Sequence, residues 1–260
     1  MISPLFLAHG SPMIAIENNE YTQFLRKLGQ QMQPKAIIIF TAHWEKNALT
    51  ISFKDDVYET IYDFGGFPPE LYAVKYPAKG STTVASQFEE LLHKQGIQTT
   101  RDLTRGLDHG VWTLLNHLYP NADVPVVQVS VNPYLPAAEQ FAIGQAIQSL
   151  AADDILIIGS GVTVHNLRRI HWGQTTPEPW AVQFDDWLLE KLTDHNYDSL
   201  FHYDALAPNA SLAVPTKEHF VPLFIALGSG PMHTKAKVIH RSYELGTLSY
   251  LCLQFDSVTE

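Results

Sequence analysis

Several short stretches of this sequence are apolar at nearly every position and leave no polar face to water. They are ISPLFLA (2–8), KAIIIFTA (35–42), VPVVQVSV (124–131) and DDILIIGSG (153–161). Runs this short and this uniformly apolar read as strands buried on both faces. Between them lie longer amphipathic stretches at 18–32, 81–96, 136–151 and 179–195, whose apolar residues recur near helical spacing. Ser81 and Gly96 bracket one of them as cap and stop, and Pro136 opens another at a position that needs no amide partner. KEHFVPLFIALGSG (217–230) reads as a helix with an internal proline, LTISF (49–53) as a further strand, and AKVIHRSY (236–243) with LSYLCLQF (248–255) as a closing strand pair. The alternation predicts an α/β fold, with a central, mostly parallel sheet flanked by helices.

With 260 residues, 45% of them hydrophobic, the chain is long enough for one sizeable core, and no repeat or low-complexity linker divides it. One domain over 1–260 is the expectation. The segment YDFGGFPPELYAVKYPAKG (62–80) reads as a long ordered loop, the kind that often carries function. Its Tyr62, Phe64 and Phe67 fit two roles equally, clamping an aromatic ligand or pinning the loop to the body. The net charge of -10, with no Lys/Arg cluster, argues against a nucleic-acid surface. The single cysteine, Cys252, rules out an internal disulfide and a thiolate metal site, and sits in an apolar run as a small buried side chain. No stretch is apolar for long enough to span a bilayer, and the N-terminus lacks the basic segment of a signal peptide, so a cytoplasmic protein without a membrane partner is expected. No coiled-coil pattern or apolar stripe declares an oligomeric state.

Histidine is the unusual residue, 12 against 17 Lys and Arg together. His9 in HGSP (9–12), His43 in FTAHWE (40–45) and His165 in GSGVTVHN (159–166) each follow a predicted strand, where open α/β sheets gather their ligands. His109 in GLDHGVW (106–112) lies between helix-like segments, and His219 in KEHF (217–220) lies at a predicted helix start. Each has a plainer reading as well: a turn residue at His9, a partner for Glu45 at His43, a helix end at His109, a local pair with Asn166 at His165. The recurrence of one topological position favours convergence over four separate accidents. Neutral imidazoles bind divalent iron and zinc, and three such ligands leave open positions for chemistry. Spacing does not divide ligands from acid–base groups. His93, His117, His171, His195, His202, His233 and His240 show no such pattern and read as structural or surface residues. GSGVTV (159–164) and GSGP (228–231) lack the strand–turn–helix setting of a dinucleotide site, and the serines lack the G-x-S-x-G elbow of a hydrolase.

Taken together, HGSP (9–12), TAHWE (41–45), YDFGGFP (62–68), GLDHG (106–110), GSGVTVHN (159–166) and EHFVPL (218–223) resemble the class III extradiol ring-cleavage dioxygenases, in their 4,5-DOPA dioxygenase-like subgroup. SYELGTLSY (242–250) fits the closing segment of that family, so the resemblance spans nearly the whole chain. It implies a mononuclear metal at the C-terminal rim of the strands, held by His9, His43 and His219. Some members place a glutamate at the third position, and Glu218 is adjacent to His219. The resemblance makes His165 an acid–base group, close enough to be a possible additional ligand, and His109 a donor near the substrate. It implies a small catecholic substrate and O2, Fe(II) for activity, Zn(II) as a plausible bound metal, and a muconic semialdehyde-type product. A zinc-dependent hydrolase using His165 or Glu45 as base, and a non-catalytic ligand-binding member of the same superfamily, are the competing readings.

Overall fold

Strands that bury both faces send alternate side chains to opposite layers, and that alternation organises this molecule. The computed structural model describes residues 2–232 and 234–257, so His233 lies outside the described residues. Ten strands run in chain order: β1 (Leu5–Ala8), β2 (Ala36–Glu45), β3 (Leu49–Ser52), β4 (Thr99–Asp102), β5 (Val126–Val131), β6 (Ile155–Gly161), β7 (Lys235–His240), β8 (Tyr243–Glu244), β9 (Leu248–Ser249) and β10 (Cys252–Asp256). Eight of them form one sheet in the order β4-β3-β5-β2-β6-β1-β10-β7, and β8 pairs with β9 separately. The four central strands β5, β2, β6 and β1 are parallel, while β10 joins β1 antiparallel at one side and β3 joins β5 antiparallel at the other. The α/β class with a largely parallel sheet is therefore as expected.

The helices are α1 (Glu20–Gln31), α2 (Pro69–Ala73), α3 (Thr82–Lys94), α4 (His109–Leu118), α5 (Ala137–Ala146), α6 (Pro179–Thr193), α7 (Tyr197–Phe201), α8 (Tyr203–Leu206), α9 (Ala210–Ala213) and α10 (Val221–Ser229). Leu5, Leu7, Ile37, Ile39, Leu156 and Ile158 pack on one face with Leu25 and Leu28 of α1 and Leu114 and Leu115 of α4. On the other face Ile38, Phe40, Ile155 and Ile157 meet Phe88 of α3, Ile143 of α5 and Ile225 of α10. Phe6 joins Phe184 of α6 and Phe224 of α10 beside them. Each such side chain, taken out of water, stabilises the fold by about 1.5–3 kcal/mol. Among the described residues no helix is long and apolar enough to cross a membrane.

Two local expectations change, and the closing strand pair is refined. The helix read over 136–151 ends at Ala146, and a 3-10 turn over Gln148–Asp153 follows it. Pro222 falls in the first turn of α10, which needs no amide partner there, so the proline begins the helix without kinking it. The closing strand pair is β7 with β10, and the residues between them fold into the β8–β9 hairpin around Leu245 and Gly246, both with positive φ (50° and 75°). The segment 62–80 is an ordered loop, as expected, and contains α2.

Candidate metal centre

The parallel strands β2, β6 and β1 are neighbours, so their C-terminal ends lie side by side. His9 is the first residue after β1, and its N–H donates to the Gly161 carbonyl at the end of β6 (3.3 Å). His43 stands near the C-terminal end of β2, where pairing with β5 shifts register between Phe40 and Glu45. Its N–H donates to Thr41 Oγ1 (3.2 Å), and Thr41 in turn donates to Asp108 Oδ1 (2.8 Å). His219 precedes α10, and its carbonyl accepts from Val162 N–H (2.8 Å). That approach is possible because residue 161 is glycine: a Cβ there would collide with the His219 carbonyl. His165 follows β6 and is tied by its N–H to the Ala213 carbonyl (2.9 Å). His109 is the first residue of α4.

These elements bring all five histidines together. One ligand nitrogen from each of His9, His43 and His219 lies within 4.8 Å of the others, a group that could hold a metal ion. Nε2 of His9 and Nε2 of His43 are 3.0 Å apart. Nε2 of His219 is buried and has no hydrogen-bond partner among the described residues. A buried imidazole nitrogen left without a partner is costly in an apoprotein and is what a metal ligand looks like before its ion arrives.

The opposite nitrogens are held in place. His9 Nδ1 lies 3.0 Å from Ser160 Oγ, whose hydroxyl donates to the Gly110 carbonyl. His219 Nδ1 lies 3.0 Å from Glu218 Oε1, which also accepts from Thr216 Oγ1 (2.8 Å). His43 Nδ1 lies 3.5 Å from Asp63 Oδ2, and the other oxygen of that carboxylate accepts from both Nδ1 (2.9 Å) and the backbone N–H (3.0 Å) of His109. Such partners fix the tautomer and turn Nε2 toward the centre. Glu218 falls in a second group with His165 and His219, not with His9 and His43. The His165 ring stacks on His219, with centroids 3.7 Å apart and planes at 13°, which places His165 beside the trio.

Burial and mutual repulsion keep His9, His43 and His165 neutral. The His9 imidazole is held well below its ordinary value by burial first and then by His43, His219, His109 and His165. His43 is lowered by burial and by His109 and His219. Burial and then His219 bring His165 down to about 3, against the opposing pull of Glu218. Burial raises the Glu218 carboxyl, but the hydrogen bond and charge of His219 outweigh it and bring it down to about 2. Neutral rings at His9 and His43 and an ionised Glu218 are the protonation states that metal binding requires.

The plainer pairings are not seen: His43 faces Asp63 instead of Glu45, and Asn166 turns its amide to the Leu212 carbonyl (2.9 Å). Among the other histidines, His117 is buried and its Nε2 bonds the Ile14 carbonyl (2.6 Å), which braces the turn that follows His9. Asp63 and Ser160 are site residues that sequence reading missed. Phe64 approaches the His109 ring edge-on at 5.5 Å, while the Tyr62 hydroxyl bonds the Val74 carbonyl (2.6 Å). Phe67 packs on Phe64 at 5.3 Å. Tyr62 thus pins the loop to the body, and Phe64 is the one beside the histidines.

With this geometry in place, comparison with known proteins is decisive. The family model described as the catalytic LigB subunit of aromatic ring-opening dioxygenase matches residues 4–252. The chain belongs to this family. A 4,5-DOPA dioxygenase extradiol of Beta vulgaris is 39% identical over 257 residues, covering 97% of this chain and 96% of the relative. The Escherichia coli K12 protein of the same description is 36% identical over 258 residues, covering 96% and 93%. The crystal structure of an uncharacterized protein from Escherichia coli K12 superposes with a TM-score of 0.83 at 35% identity, covering 98% of this chain and 99% of that one. This LigB-family chain is an extradiol dioxygenase, and the five histidines lie at the rim where its sheet gathers them.

Proposed function

We propose that the chain, as one catalytic domain, cleaves the ring of a small catechol with O2 beside the diol, giving a muconic semialdehyde-type product. The observation that carries this reading is the convergence of the His9, His43 and His219 nitrogens, with His165 and His109 retained next to them. His9, His43 and His219 would hold the metal, while Ser160, Asp63 and Glu218 engage the Nδ1 side of their rings. Bound Fe(II) would supply open coordination positions, as Zn(II) would, and in addition an electron path between ring and dioxygen that Zn(II) lacks. Neutral His165 takes a proton from a catechol hydroxyl and later returns one. His109, as an imidazolium with Nδ1–H on Asp63, donates from Nε2 to an oxygen as negative charge builds there, and Asp63 supplies the counter-charge. Phe64 closes over the ring from the 62–80 loop.

In this reading a histidine stands where some members of the family place a third, carboxylate ligand, and the negative charge sits one hydrogen bond further out on Glu218 and Asp63. The test is anaerobic reconstitution of metal-free protein with Fe(II) or Zn(II), followed by a panel of catechols and oxygen. Stoichiometric oxygen uptake and a new yellow chromophore with Fe(II) alone are expected. No uptake with any catechol despite full iron binding overturns the proposal, and turnover with Zn(II) without oxygen uptake replaces it with a hydrolase.

A further inference from the structure

Asp185 of α6 has no exposed surface, yet it is ionisable and has no part in the chemistry proposed above. Three hydroxyls from three segments point at it. Thr163 Oγ1 donates to Oδ1 (2.6 Å), and Ser249 Oγ (2.6 Å) and the Tyr243 hydroxyl (2.8 Å) donate to Oδ2. Arg241 stands one step away, donating from its guanidinium to the Tyr243 oxygen (2.9 Å) and pairing with Asp186 (2.7 Å). Burial raises the Asp185 carboxyl, and the hydroxyls of Ser249, Thr163 and Tyr243 act against that rise. Hiding a carboxylate costs several kcal/mol unless its oxygens are satisfied, and here they are.

The segment the carboxylate grips leads directly to His165. Every residue from 162 to 165 is tied to a different partner: Val162 N–H to the His219 carbonyl (2.8 Å), the Thr163 side chain to Asp185 (2.6 Å), the Val164 carbonyl to Ser249 N–H (3.2 Å) and His165 N–H to the Ala213 carbonyl (2.9 Å). Asp185 joins two of these ties, because it holds both Thr163 and Ser249. Beyond Ser249 the chain continues to Tyr250, whose hydroxyl accepts from Ser11 N–H (3.2 Å) and donates to Glu244 (2.6 Å). That hydroxyl fills the space a Cβ at residue 10 would need, and Gly10 has a φ of +54°. One buried carboxylate thus anchors the approach to His165 and, through the hairpin, the turn that follows His9.

We propose that Asp185 is a positioning residue for His165, which it holds over His219 through the Thr163 hydroxyl and the β8–β9 hairpin. This rests on the reading of His165 as the acid–base group. Displacement of such a group by about an ångström costs up to roughly a hundredfold in rate without changing what binds the substrate.

The test compares Thr163→Val, which keeps the shape and removes the hydroxyl, with Thr163→Ser, which restores it. In the iron-loaded enzyme Thr163→Val is expected to lower kcat about 10–100-fold with KM and iron content unchanged, and Thr163→Ser to recover most of that loss. In the metal-free protein, amide hydrogen exchange over 162–166 is expected to quicken about tenfold or more in Thr163→Val, since a bond to a charged acceptor is lost. Ser249→Ala takes a different hydroxyl from the same carboxylate and is expected to show the same pattern, which keeps the proposal testable if Thr163→Val does not fold. Unchanged exchange over 162–166 overturns the proposal whether or not the protein cleaves catechols. Faster exchange with unchanged kcat, or a loss carried by KM or iron content, also overturns it. Activity that survives His165→Ala instead removes the acid–base reading and leaves the exchange result to decide the clamp alone.

Discussion

His9 and His43 face each other Nε2 to Nε2 at 3.0 Å, and the other nitrogen of each ring is turned to a different partner, Ser160 and Asp63. Two neutral rings whose Nδ1 hydrogens are engaged in this way oppose lone pairs at the centre, an arrangement that a cation relieves. Replacing His9, His43 or His219 with alanine is expected to lower metal affinity by more than about a hundredfold. Asp63→Asn, Glu218→Gln and Ser160→Ala remove only outer hydrogen-bond partners and are expected to cost about 10–100-fold. Competition titration of the metal-free variants with a chromophoric chelator measures both sets. A Glu218→Gln loss as large as that of His219→Ala would make Glu218 a direct ligand.

The stability of the metal-free protein should depend on pH through the same rings. His9, His43 and His165 have folded values below the ordinary 6.5, and His165 lies near 3. Below pH 6.5 the unfolded chain therefore binds protons that the folded chain refuses. The stability these rings confer is fully present above about 6.5 and is lost as pH falls toward their folded values, at about 1.4 kcal/mol per pH unit for each ring involved. Urea unfolding of metal-free protein between pH 7 and 4 is expected to show this fall, and His165→Ala to reduce its slope.

Phe64 stands edge-on to His109 at 5.5 Å, at the end of an aromatic group that includes Tyr62, Tyr72 and Trp112. Phe64→Ala is expected to raise KM for a catechol several-fold with a smaller change in kcat, because an aromatic contact of this kind contributes about 0.5–1.5 kcal/mol. Steady-state kinetics separates the two. Trp112, fully buried and bonded to the Ile61 carbonyl (2.9 Å), pins the same loop from below, and Trp112→Ala is expected to destabilise the fold by about 3–5 kcal/mol in thermal or urea unfolding.

The close approach of Gly161 to the His219 carbonyl makes a further prediction. Gly161→Ala forces α10 or the end of β6 to move, and overpacking of this sort costs about 1–3 kcal/mol. Because His9 N–H bonds Gly161 and Val162 N–H bonds His219, two of the three candidate ligands shift together. Metal affinity should fall along with Tm, whereas a substitution at exposed Gly65, which has open space around it, should change neither.

The strands were legible because burial on both faces leaves only apolar residues in them, as in Ile37, Ile38, Ile39 and Phe40. Helix α4 was not, for the same reason inverted: all its residues but Asn116 are buried, so no polar stripe marks a helical period. α7, α8 and α9 are too short, at four or five residues, to show a period. The site histidines could be picked out because three of them stand at strand ends, His43 just inside β2 and His9 and His165 just beyond β1 and β6, a relation that order along the chain preserves. Asp63 could not be found that way: it lies 46 residues before His109 in a glycine-flanked loop, and only the folded chain brings its carboxylate to two imidazoles. Ser160 lies in the GSG (159–161) that ends β6, and its role depends on which side of that strand faces His9.

The most direct measurement of the central claim is the fate of labelled dioxygen in single turnovers of the Fe(II)-loaded protein with a catechol that it consumes. Mass spectrometry of the ring-opened product should find both atoms of the labelled oxygen molecule in it, with the ring broken outside the diol. Product carrying oxygen from water alone, or cleavage between the two hydroxyl-bearing carbons, would contradict the account.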